Sequence, residues 1–205
     1  MSEEKRKLSA IIVKNNSLLE EAINFSLDYI QGKIEETLKE IIDEKINQFK
    51  WEGDSEDVLE DGAWFASPAW RKKDEPADGE YDGFFSLEWT GDANPLVSHL
   101  VGYGDAGIRW LFESNTLSAR PLRNVLSEQN AVIEELLKAG FRVEEKGKVL
   151  YLPVKIAESI VVDAFETGDT KELQEAVAES MQLLHDSETK LDLLVDAVRK
   201  RAEKI

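Results

Sequence analysis

Cysteine is absent from the 205-residue chain, which excludes disulfides, thiolate nucleophiles and cysteine-ligated zinc. Histidine is nearly absent. His99 and His185 stand apart, with no second histidine or serine nucleophile motif at useful spacing, so both read as structural or exposed side chains. Long apolar runs are missing as well. Near the N-terminus only Ile11-Ile12-Val13 interrupts polar sequence, too short for a signal-peptide core or a membrane span, and a cytoplasmic location is expected. Bases are scarce relative to acids, 25 against 42, for a net charge of -17. A field of that sign repels phosphate backbones and anionic membranes, and it steers basic partners inward.

What the chain does contain argues for a folded protein. Hydrophobic residues make up 42%, and five Trp, four Tyr and eight Phe need a core or an interface. Residues 1–15 read as a tail and 16–50 as one long amphipathic helix. Residues 51–205 read as a body of mixed structure ending in a second long helix. In the first helix Leu19, Ile23, Ile30, Ile34, Leu38 and Ile41 recur at mostly three- and four-residue steps. Ser17-Leu-Leu-Glu20 has the form of a capping box at its start, and Gly32 is the expected bend.

From Glu52 to Asp92 the composition shifts to 13 acids against 3 bases, and 12 aromatics fall between Phe49 and Phe112. Apolar runs at 63–66, 84–89 and 108–112, set off by Gly, Pro, Asp and Asn, predict short antiparallel strands. A helix beginning near Pro121 and stopping at Gly140 leads into a predicted hairpin, 141–154. A helix over 157–166 stops at Gly168, and the last helix covers 170–199 with a break near Asp186-Ser187. The fold class is therefore α+β: a small antiparallel, aromatic-rich sheet and a helix–hairpin unit, bracketed by long N- and C-terminal amphipathic helices.

Several motifs approach a chemistry without completing it. Asp78-Gly-Glu80-Tyr-Asp82-Gly83 resembles the opening of a calcium loop, but Trp89 stands where a bidentate carboxylate is required. Glu144-Glu-Lys146 has the spacing of a divalent-metal nuclease strand and lacks the companion Asp. Gly102-x-Gly104-x-x-Gly107 precedes an apparent strand, whereas a phosphate-binding loop opens a helix. The helix–hairpin order of 122–154 matches a recognition helix and wing, yet Glu128, Glu134 and Glu135 oppose Arg123 and Lys138, which disfavours DNA. No catalytic residue, metal site or cofactor is assigned.

The run Leu152-Pro-Val-Lys-Ile156, with Val162-Asp-Ala-Phe-Glu-Thr-Gly-Asp169 and the stretch from Leu173 to Ala197, resembles the C-terminal region of prokaryotic PD-(D/E)XK-superfamily proteins. The resemblance spans a quarter of the chain and implies a phage or bacterial protein carrying an accessory part without the nuclease active site.

Aromatics among carboxylates are the most distinctive feature. The candidate interaction residues are Trp64, Trp70 and Tyr81 as anchors within an acidic rim of Asp78, Glu80 and Asp82. The expected function is that of a non-enzymatic, acidic interaction or regulatory protein meeting a basic protein surface, in sharper form an inhibitor imitating nucleic-acid charge. A metal-dependent, nuclease-related hydrolase is the alternative from another class, and a subunit that oligomerises through its long helices is a third. Neither direct nucleic-acid binding nor membrane association is expected.

Overall fold

A computed structural model describes residues 2–56, 58–59, 62–73, 80–91, 97–144 and 149–204, the side chains of Leu27 and Asp28 excepted. The stretch expected to be a tail is helical: α1 spans Glu3–Lys14, with Ser2 Oγ accepting from Lys5 N at 3.3 Å. The helix continues as α2 (Asn16–Phe25), one π-helical turn (Ser26–Ile30) and α3 (Gln31–Phe49). Ser17-Leu-Leu-Glu20 caps nothing, because Asn15 N and Leu19 N bond to the carbonyls of Ile11 and Asn15 and carry the helix through. Gly32 lies within α3; the irregularities are Asn15 and the π-turn.

The strands are β1 (Glu52–Asp54), β2 (Trp64–Ala66), β3 (Phe84–Thr90), β4 (Gly107–Glu113), β5 (Arg142–Glu144) and β6 (Val149–Val154). They form one antiparallel sheet in the order β1-β2-β3-β4-β6-β5, which joins the predicted hairpin to the aromatic strands. Short α4 (Val97–Leu100) precedes β4; α5 (Ala119–Glu128) and α6 (Asn130–Lys138) link β4 to β5. After β6 come α7 (Glu158–Thr167), α8 (Lys171–Asp186) and α9 (Glu188–Ala202), with the predicted break at Ser187. The architecture is α+β, with helices at both ends of the chain.

Two helices end in the same Schellman geometry and each delivers an aromatic into the core. After α6, Phe141 N reaches Leu136 O and Gly140 N reaches Leu137 O, with Gly140 at φ 109. After α3, Trp51 N reaches Ile46 O and Lys50 N reaches Asn47 O, and here the left-handed position (φ 58) falls to a lysine. A Cβ in that conformation is strained.

Strand alternation splits the sheet into two faces. The inner face carries Phe65, Phe85, Leu87, Ile108, Trp110, Phe112, Leu150, Leu152 and Val154, all buried. Trp51 stacks on Phe65 at 4.5 Å, and Phe65 meets Trp110 edge-on at 5.0 Å. Helices α3, α8 and α9 seal this face. Phe49 stacks on His185 between α3 and α8 at 4.2 Å, and Gln174 of α8 donates to Glu40 of α3 at 3.1 Å. Trp110 Nε1 donates to Ser180 Oγ of α8 at 2.9 Å inside the core. Gly83 lets α9 come close: a Cβ there would lie 2.7 Å from Val195 Cγ2.

Two stability measurements follow from this packing. Ser180→Ala orphans a buried indole N–H and lowers unfolding free energy by about 1–3 kcal/mol, read as a lower urea midpoint at unchanged m-value. Lys50→Gly relieves the left-handed strain and raises stability by about 1 kcal/mol, read as a higher midpoint in the same titration.

Candidate protein-interaction surface

The residues expected to anchor a partner do separate things. Asp78 lies outside the described residues. Trp70 is buried, and its Nε1 donates to Asp192 Oδ1 of α9 at 2.7 Å. Tyr81 is buried, with its hydroxyl donating to Glu52 Oε2 of β1 at 2.6 Å. Asp82 is 3% exposed; its oxygens accept from Arg199 Nε at 2.6 Å and Thr116 Oγ1 at 2.6 Å. Arg199 also donates to the carbonyls of Ala69 at 2.7 Å and Arg71 at 3.0 Å, which fastens Ala69, Arg71 and Asp82 onto α9. Glu80 is exposed and pairs with Lys72 at 2.8 Å. Trp64 alone of the three aromatics stays half-exposed, its ring 5.4 Å from that of Tyr81.

The described part of the acidic aromatic stretch therefore contributes mostly core and internal fastening. Glu80 and Asp82 turn to different partners, so the two described carboxylates of the calcium-loop-like run do not converge. Of Glu144-Glu-Lys146, only Glu144 falls within the described residues, at the end of β5. Among the described residues no group of three or more His, Asp or Glu side chains gathers as a metal site. Gly102 and Gly104, both at positive φ (66 and 69), form the turn entering β4. His99 is buried, edge-on to Trp89 at 5.9 Å.

Sequence reasoning missed the outer face of the sheet. Asp54, Trp64, Ser86, Leu111, Tyr151 and Arg142 fall in one row across all six strands. None of the six is buried. Beside that row Glu88, Arg109 and Pro153 form another, and Phe84 faces Glu113. Arg109 lies 4.6 Å over the Tyr151 ring while its guanidinium bonds to Glu88 and reaches Glu144 at 3.5 Å. Ser86 Oγ donates to Glu113 Oε2 at 2.6 Å. At one margin a shallow groove of about 210 Å³ is lined by Leu111, Leu117, Leu122, Leu126 and Val149, with Glu113 and Arg123 beside it. The face thus offers aromatic rings (Trp64, Phe84, Tyr151) among carboxylates (Asp54, Glu88, Glu113, Glu144), with Arg109 already engaged.

At the edge of this face, burial disfavours the charge of Glu52, but hydrogen bonds from Tyr81 and Arg71 and the guanidinium's charge outweigh it and hold the carboxyl below 4.5. Burial first, then the Glu52 carboxylate, pushes the Tyr81 phenol above 10.0.

No family model matches the chain, and neither a curated protein nor a solved structure matches it. Among the described residues no helix is long and apolar enough to cross a membrane.

Because folded Glu52 is the stronger acid, its stabilisation is complete above pH 4.5 and is lost as pH falls through the lowered folded value. Tyr81→Phe removes one of the two hydrogen bonds that hold it there. The carboxyl moves up towards 4.5, as followed by carboxylate NMR titration, and unfolding at neutral pH becomes easier by about 1 kcal/mol.

Proposed function

We propose that the chain is a non-enzymatic interaction or regulatory protein of a bacterium or phage, acting in the cytoplasm by presenting the outer face of its sheet to a basic protein surface. The observation that carries this reading is the asymmetry of the sheet. One face is buried across its central strands, whereas the other holds half-exposed Trp64, Phe84 and Tyr151 among Glu88, Glu113 and Glu144. Aromatic rings supply desolvated contact area, and a carboxylate rim selects cationic partners and speeds their arrival. With a net charge of -17, the whole molecule contributes to that steering. A nucleic-acid-handling protein is the partner class whose own surface best complements such a face, and its occupation blocks the polyanion.

Affinity capture of the tagged chain from its host's lysate, at low and at moderately high salt, tests the reading. A basic nucleic-acid-handling protein should be retained at low salt and released at high salt. Glu113→Lys with Glu144→Lys should weaken its retention about tenfold while the chain stays folded, the urea titration showing a loss of no more than about 1–2 kcal/mol. Retention that ignores both salt and the two substitutions would remove the outer face from the argument.

A further inference from the structure

The N-terminal arm carries an apolar stripe that the body leaves uncovered. No residue of α1 or α2 is buried, and Leu8, Ile11, Leu18 and Phe25 are 58%, 58%, 64% and 57% exposed. Backbone hydrogen bonds cross the junction, Asn15 N to Ile11 O at 3.1 Å and Leu19 N to Asn15 O at 3.0 Å. Along this joined helix Leu8, Ile11, Asn15, Leu18, Ala22 and Phe25 alternate steps of three and four, the a and d positions of a coiled coil. Ile12 and Leu19 widen the stripe on one side, 45% and 40% exposed. A stripe of this kind is stabilised when a second apolar helix removes it from water.

We propose that the occupant is a second copy of this chain, with the two arms paired antiparallel. The charges along the arm select both the partner and the direction. Helix α1 holds Lys5, Arg6, Lys7 and Lys14 against Glu3 and Glu4, whereas α2 holds Glu20 and Glu21 and no base. Antiparallel pairing lays the basic half of each arm on the acidic half of the other. In that register Leu8 of one copy faces Phe25 of the other, Ile11 faces Ala22, and Asn15 faces Leu18. Lys14 and Glu21 then take flanking g positions directly across the seam. A two-fold axis makes every contact occur twice. Asn15 enters the seam already satisfied, since its Nδ2 donates to Ile11 O at 2.8 Å.

Parallel pairing reverses each of these terms. Like charges meet along the arms, and the two bodies, which hold nearly all of the -17 charge, stand side by side. Antiparallel arms hold the bodies at opposite ends of a helix pair on the order of 35 Å long, several Debye lengths at physiological salt. An anionic membrane is a poorer occupant, because Glu20, Glu21 and the acidic body oppose it.

The full-length chain supplies the test, since it has no cysteine of its own. Sedimentation equilibrium should give a dimer. Leu18→Glu with Phe25→Glu should yield a monomer whose body unfolds at the unchanged urea midpoint, because neither side chain is buried. Lys14→Glu and Glu21→Lys should each weaken the dimer about three- to tenfold, and the double exchange should restore it. When chains bearing Leu8→Cys and Phe25→Cys are mixed and oxidised, the 8-to-25 disulfide between copies should dominate. Monomer at every concentration overturns the proposal, as does a monomer that binds phosphatidylglycerol vesicles through the arm. Dominant 8-to-8 and 25-to-25 disulfides overturn the antiparallel register.

Discussion

Trp110 sits in the middle of β4 with no exposed surface, and its one polar atom meets Ser180 Oγ across the sheet–helix interface. An indole is the largest side chain a core accepts, and its N–H is tolerated there only with a partner in place. The bond therefore sets the height and rotation of α8 over the sheet. Phe65 lies edge-on to the same ring, Trp51 stacks on Phe65, and α3 is drawn in because its terminal turn delivers Trp51. Helix α9 is held at the opposite end, where Gly83 allows contact between backbone and Val195. One row of rings positions α3 and α8, and a glycine admits α9.

The polar counterpart of that row is Arg199. Its guanidinium satisfies a buried carboxylate, Asp82, and the carbonyls of Ala69 and Arg71. Removing such a charge from water is costly, and the cost is offset only by several hydrogen bonds of good geometry. The Trp70 bond to Asp192 and the Tyr81 bond to Glu52 add two further internal fastenings. Carboxylates here hold the protein together from inside. Solvent-facing carboxylates include those of the outer face of the sheet and, on α7 and α8, Glu166, Glu172, Glu175 and Glu179.

Local signals were well written in the sequence. Gly140 and Gly168 stop the helices they follow, Ser187 breaks the last long helix, and three of the six strands lie where aromatic runs predict them. Long-range pairing was not legible. The partner of β4 is β6, and α5, α6 and β5 lie between them in sequence, so no short-range pattern announces that the hairpin completes the aromatic sheet. The candidate surface failed for the same reason. Alternation in Phe84-Phe-Ser-Leu-Glu-Trp89 shows that two faces exist, but only the pairing with β4 and β6 shows that Glu88, Arg109 and Tyr151 share one of them. Trp70 reads as an anchor and Asp82 as part of its rim because their partners, Asp192 and Arg199, lie more than a hundred residues away. Residues 1–15 read as a tail, and the apolar side chains of α1 are not buried against the described residues of the chain.

The two borders of the sheet have a further consequence. Strands β1 and β5 are each three residues long, with Glu52 and Asp54 on one and Arg142 and Glu144 on the other. A free border exposes unpaired amides and carbonyls, and it invites a stranger's strand unless it is short or charged. Both borders here are short and both are charged. A newly made chain with its central strands already assembled thus offers its neighbours no template on which to extend a ladder. Short, charged borders favour the native ending over the fibrous one at the sheet's rim.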